Sequence, residues 1–145
     1  MSKSLNKAIF KSANWTKLSC YQDFKRFLSQ NNSFKHIEPF GKKITSKKLM
    51  FFKTISNDAI TIWALVKTKD STVAECKVFL NGSDLLNSQL INEIVHSMKR
   101  TYSISKFSVK INSQLMTTST GYCFRVAGWI ADSESCDKQL MSFNC

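Results

Sequence analysis

The chain has 145 residues, 43% of them hydrophobic and 21% charged, with one proline and four glycines. That length predicts one domain, able to bury about two-thirds of its unfolded surface without a disulfide or metal staple, and the composition excludes a disordered or fibrous class. A formal net charge of +11 points to a polyanion as partner, most simply nucleic acid.

The charge is uneven. Residues 1–48 carry eleven Lys and Arg against Asp23 and Glu38, whereas residues 49–145 carry ten against eight acids. A basic first third on a near-neutral body suits contacts with phosphates and says nothing about base reading. No apolar run approaches the roughly 20 residues of a membrane-spanning helix. Residues 1–10 lack the continuous apolar segment of a signal peptide. The expectation is a soluble cytoplasmic protein with no membrane partner. The five cysteines (Cys20, Cys76, Cys123, Cys136 and Cys145) are odd in number and form no Cys-x-x-Cys pair, and His36 and His96 match no zinc spacing. They read as free thiols of a reducing compartment, with no metal site.

In chain order, residues 1–14 alternate loosely around Ile9 and Phe10 and predict a first strand behind a basic lead. Residues 15–30 predict a helix, because Leu18, Tyr21, Phe24, Phe27 and Leu28 recur at three-to-four spacing, with Thr16 or Ser19 as N-cap. Residues 34–48 read as a loop holding Pro39, Gly41, Lys42, Lys43, Lys47 and Lys48, with Phe34 and Phe40 interleaved. Exposed rings among lysines would stack on bases while the ammonium groups meet phosphates; the alternative is that both rings anchor the loop to the core. Three strands follow, at 48–55, 60–67 and 73–80. Turns at Asn57-Asp58 and Lys69-Asp70-Ser71 join them as an antiparallel meander. In the third strand, Val73, Glu75, Lys77 and Phe79 alternate with Ala74, Cys76, Val78 and Leu80. After Asn81-Gly82 comes a helix with Leu90, Ile91, Ile94, Val95 and Met98 on one stripe. Asn87 or Ser88 is its expected N-cap, and Lys99 and Arg100 suit its C-terminus. A strand at 105–111 ends at Asn112, and a closing strand spans 139–143 after a turn at 132–137.

Between them lies Gly121-Tyr122-Cys123-Phe124-Arg125-Val126-Ala127-Gly128-Trp129. It reads as a short helix that Gly128 stops at a left-handed position, with Trp129 starting the next strand. Phe124 and Ala127 share one side of that helix. Tyr122 and Arg125, three apart, share another.

The order of helix, three-strand meander, helix, strand, short helix and hairpin contains the βαβ element of an α/β sandwich. The chain resembles the GNAT acyltransferase layout, an α/β (α+β) fold with a mixed central sheet of six or seven strands flanked by helices. Within it, the chain is similar to small phage proteins related to the Mom DNA-modification protein. Glu75-Cys76-Lys77-Val78-Phe79-Leu80-Asn81, Asn87-Ser88-Gln89-Leu90-Ile91, Val109-Lys110-Ile111-Asn112 and the Gly121–Trp129 stretch carry the likeness over about residues 60–143, the last being the most specific.

The resemblance implies an acyl-CoA or acetyl-CoA cofactor and an amino group of DNA as acceptor. It implies Tyr122 as general acid toward the leaving thiolate, since a phenol is protonated at neutral pH. It gives Asn112 the orienting of the amine or a water, and turns Ser88 toward the cofactor. It sets the cofactor against Phe79, Asn81, Gly82 and Ser88, and adds Arg125 to Lys42, Lys43, Lys47 and Lys48 as nucleic-acid contacts. Where the family usually has a Gln/Arg-x-x-Gly-x-Gly/Ala phosphate loop, this chain has Phe79-Leu80-Asn81-Gly82-Ser83. A helix start near Ser88 still offers backbone N–H groups to an anion. The alternative is a non-catalytic binding protein that engages nucleic acid or a host defence protein, since fold does not fix function.

Overall fold

A computed structural model of the chain describes residues 9–31, 33–34, 48–110, 116–117, 122–131 and 140–144. The expectations on Phe40, Lys42, Lys43, Lys47, Asn112, Gly121, Cys136, Cys145 and the turn at 132–137 lie outside the described residues. In chain order the elements are β1 (Trp15–Leu18), α1 (Tyr21–Gln30), β2 (Lys48–Thr54), β3 (Ala59–Lys67), β4 (Thr72–Asn81), α2 (Asn87–Thr101), β5 (Lys106–Lys110), α3 (Tyr122–Val126), β6 (Ile130–Ala131) and β7 (Leu140–Asn144). The strands form one seven-stranded sheet in the order β1-β2-β3-β4-β5-β7-β6. Every pairing is antiparallel except β4 with β5. That one is parallel because α2 carries the chain over the sheet between them, a return no hairpin can make. This is a mixed α/β sheet flanked by helices, consistent with a GNAT-like α+β layout.

The sheet buries side chains on both faces. Under α2, Phe52, Trp63, Phe79 and Phe107 pack against Leu90, Ile91, Ile94, Val95 and Met98. Each of those buried helix residues contributes on the order of 1.5–3 kcal/mol of apolar transfer, an upper bound set by an extended unfolded chain. On the other face, Phe24, Phe27 and Leu28 of α1 cover Phe51, Ile60, Ile62 and Val78. Phe34 is buried there against Phe27, with ring centroids 6.2 Å apart, so it anchors the chain and offers no ring to bases.

The regular alternation expected for β4 breaks once. Ile62 pairs with Val78 and Trp63 with Cys76, so Lys77 has no partner on β3 and forms a bulge. One inserted residue changes which face the next side chains take. Cys76 therefore points under α2, Val78 points under α1, and Phe79 returns to the α2 side.

The first expected helix begins too early. Residues Trp15–Leu18 are a strand paired with Phe51–Thr54 of β2, and α1 starts at Tyr21 after Cys20, which caps it without a side-chain bond. Local periodicity loses to tertiary pairing here: the Trp15 indole is buried and its N–H donates to the Leu90 carbonyl at 3.0 Å. Residues 9–14 are neither helix nor strand. They are instead tied to α2 through Glu93, whose carboxylate accepts from the Ser12 hydroxyl, the Asn14 backbone N–H and the Asn14 amide, the last at 2.8 Å. Partial burial works to raise the Glu93 pKa, but those hydrogen bonds outweigh it and hold the carboxyl below its ordinary range.

Candidate functional site

Helix α3 shows why the Gly121–Trp129 stretch has its composition. The Trp129 N–H donates to the Phe124 carbonyl at 2.9 Å, and the Gly128 N–H to the Arg125 carbonyl at 3.0 Å. With Gly128 at φ 99°, this is a Schellman cap, and its accompanying apolar contact is present. Phe124 and Trp129 meet edge to face, 4.9 Å between centroids. Cys123, Phe124, Ala127 and Trp129 are buried. Phe124 also packs edge-on against Phe79 at 6.2 Å, which ties α3 to the C-terminal end of β4. Cap and core thus account for five of the residues. Tyr122, 66% exposed, Arg125 and Val126 remain at the surface of α3.

The parallel seam between β4 and β5 is short, and the edge of β4 beyond it finds other partners. The two strands pair from Val73 with Lys106 to Cys76 with Val109, and the pairing stops at the Lys77 bulge. Beyond it, Met116 bridges Phe79 in parallel. The Thr117 N–H donates to the Phe79 carbonyl at 2.7 Å, and the Asn81 N–H donates to the Thr117 hydroxyl at 2.6 Å. The free edge of β4 is therefore used at both positions.

The β4–α2 connection is equally self-contained. The Gly82 N–H donates to the Asp58 carbonyl at 2.7 Å, the Ser83 N–H to the Asn81 side-chain oxygen at 2.9 Å, and the Leu85 N–H to the Ser83 hydroxyl at 3.2 Å. The Asn81 amide donates to the Leu85 carbonyl at 2.8 Å and to the Asn87 side-chain oxygen at 2.7 Å. Asn87 and Ser88 are first-turn residues of α2, not its N-cap; Leu86 holds that position with no side-chain bond. The N–H groups of that first turn are free of intrahelical partners, as at any helix start.

These contacts test the fit of an acyl-CoA. Phe79 is fully buried, so its ring offers no surface to a ligand. The Asn81 side chain is spent on the loop, and the Gly82 and Ser83 N–H groups that would cradle a diphosphate are already donated. Of the described residues only the helix start at Ser88 remains, and no hydrogen bond among them joins Ser88 to Tyr122. The described residues Phe79, Asn81, Gly82 and Ser83 do not fit the cofactor that the resemblance implies.

A different surface comes together at the other end of α2. A groove of about 630 Å³ runs along residues 9–17 to Ile55 in the β2–β3 turn. It continues through Ile9 and Lys11 into a second depression of about 350 Å³ bounded by Arg100 and Thr101. Among the described residues, Lys11, Lys17 and Arg100 bring three cations to it and no acidic residue lines it. The charge asymmetry of the first third was the available signal. It named the lysines of 42–48 instead, of which only Lys48 is described, exposed at the first position of β2.

No helix among the described residues is long and apolar enough to cross a membrane. No protein-family model and no curated protein matches the chain.

Proposed function

We propose that this chain is a GNAT-like, non-catalytic nucleic-acid-binding protein of the cytoplasm. The observation that supports it is the internal use of the N–H groups of Asn81, Gly82 and Ser83. An acyl-CoA diphosphate would have to break those bonds first, and a donor left unpaired in the process costs about 1–3 kcal/mol. The net charge of +11 supplies the partner class. A host defence protein with an acidic face is the competing partner.

A second reading, transfer to an amino group of nucleic acid, is favoured by one observation. Tyr122 keeps its ring at the surface, beside exposed Arg125 and Val126, while Cys123, Phe124, Ala127, Gly128 and Trp129 serve the core and the cap. In that reading Tyr122 is the proton donor.

Two measurements on the full chain decide between them. Retention of labelled DNA is expected to fall steeply with salt and to survive Tyr122→Phe, with millimolar acetyl-CoA leaving the melting temperature unchanged. Absent or salt-insensitive retention refutes nucleic-acid binding. A melting temperature raised by acetyl-CoA refutes the non-catalytic reading.

A further inference from the structure

We infer that the groove along residues 9–17 is the docking site, and that its occupant is a single strand of nucleic acid. Lys11, Lys17 and Arg100 would meet its phosphates, and Phe10, Ile9 and Ile55 its bases. This inference rests on the nucleic-acid reading above and narrows it to a place and a substrate class.

Charge is the first argument. Among the described residues, three cations and no acid line the groove. Two carboxylates stand close behind it: Glu93, engaged by Ser12 and Asn14, and Asp58, engaged by Thr54 and Ser56 on either side of Ile55. Against these two anions the described lining itself contributes three cations, a net positive charge toward a ligand.

Apolar surface is the second argument, and it selects single strands over duplex. Ile9 is 76% and Ile55 63% exposed, and both line the one groove, so their apolar surface is available to a ligand there. Phe10 lines the same groove half-buried, held by Phe52 at 4.9 Å between ring centroids. A duplex stacks its bases inside and presents phosphate and sugar outward. A single strand presents base faces, which pack on exposed rings and apolar side chains between the cations.

Rigidity is the third argument. Residues 9–14 have no regular structure, yet they are fixed. Glu93 holds Ser12 and Asn14, the Asn14 carbonyl accepts from the Ile55 N–H at 2.9 Å, and the Arg100 guanidinium reaches the Lys11 carbonyl at 3.4 Å. Lys11 and Lys17, both exposed, thus project from a backbone that needs no ordering when a ligand arrives.

The test compares two charge-matched double variants, Lys11→Glu with Lys17→Glu and Lys67→Glu with Lys69→Glu, all at exposed positions. Binding of a labelled single-stranded oligonucleotide and of a duplex of equal length is measured by fluorescence anisotropy across a salt series. The wild type is expected to prefer the single strand by about tenfold or more. The groove variant is expected to lose about tenfold in affinity and to flatten the salt slope by about 1.4, at roughly 0.7 per lost phosphate contact on a single strand. The Lys67/Lys69 variant is expected to stay within about twofold of wild type. Equal losses in both variants would show that binding follows total charge and would overturn the site. Duplex binding as tight as single-strand binding would overturn the substrate class. If the wild type binds neither, the parent reading falls, and this one with it.

Discussion

Gly82→Ala separates two explanations of the same glycine. As part of a ligand cradle, Gly82 would let a phosphate approach the backbone. In the structure it lets the β2–β3 turn approach instead: a Cβ built at Gly82 would lie 3.0 Å from the Asp58 carbonyl oxygen. That oxygen already accepts the Gly82 N–H at 2.7 Å. It has little room to retreat, because the Asp58 carboxylate accepts from the Thr54 hydroxyl at 2.7 Å and the Ser56 hydroxyl at 2.8 Å. Overpacking of this kind costs about 1–3 kcal/mol. The stiffer unfolded chain returns about 0.4–1 kcal/mol. The net loss is about 1 kcal/mol or somewhat more, a fall in melting temperature of about 3–6 °C for a chain of this size. Trp15, Trp63 and Trp129 are all buried, so tryptophan fluorescence follows the unfolding directly. The loss is expected with no ligand present. An unchanged or raised melting temperature would refute the steric account and return Gly82 to a binding role.

Gly128→Ala should cost about 1–2 kcal/mol from the left-handed backbone alone, since the added Cβ meets only the Phe143 ring at an ordinary 3.8 Å. Gly128→Asn should recover part of that in the same urea titration. Glu93→Gln should lower stability at neutral pH by roughly 1–2 kcal/mol through its charge-assisted bonds to Ser12 and Asn14. The Glu93 pKa is depressed in the folded state, so this stability is present above the ordinary carboxylate range and lost as pH falls through the folded value. Wild type and variant should therefore converge in acid, and a gap that persists there would count against the assignment. Peptide mapping after brief alkylation of the folded protein should find Cys20 modified and Cys76 and Cys123 protected. Cys20 is exposed and the other two are buried, with burial pushing the Cys76 thiol far up. Early labelling of Cys76 would mean that the β4 core opens readily.

Much of the fold was legible in the sequence because the signals were local. The α2 stripe from Leu90 to Met98, the meander of β2 to β4 and the Gly128 stop each rest on neighbouring residues, and each forms near its expected place. The failures share a cause of the opposite kind. Trp15–Leu18 carries a helical spacing but becomes a strand because β2, more than thirty residues on, pairs with it. The Lys77 bulge interrupts an alternation that looked unbroken, and it is visible only against β3. The same limit governs the site. Asn81 and Gly82 resemble a ligand loop by position, but their partners are Asn87, Thr117 and Asp58. The groove of Lys11, Lys17 and Arg100 joins segments more than eighty residues apart, so charge counting foretold its sign and not its place.

The order of synthesis gives the bulge at Lys77 a further consequence. Strand β4 leaves the ribosome well before β5, its neighbour across the parallel seam, because the whole of α2 lies between them. During that interval β4 is the open margin of a nascent four-stranded sheet, with a row of unsatisfied backbone groups that another chain could adopt. A kink in the middle of that margin, with a charged lysine at its centre, discourages such adoption until the remaining strands arrive.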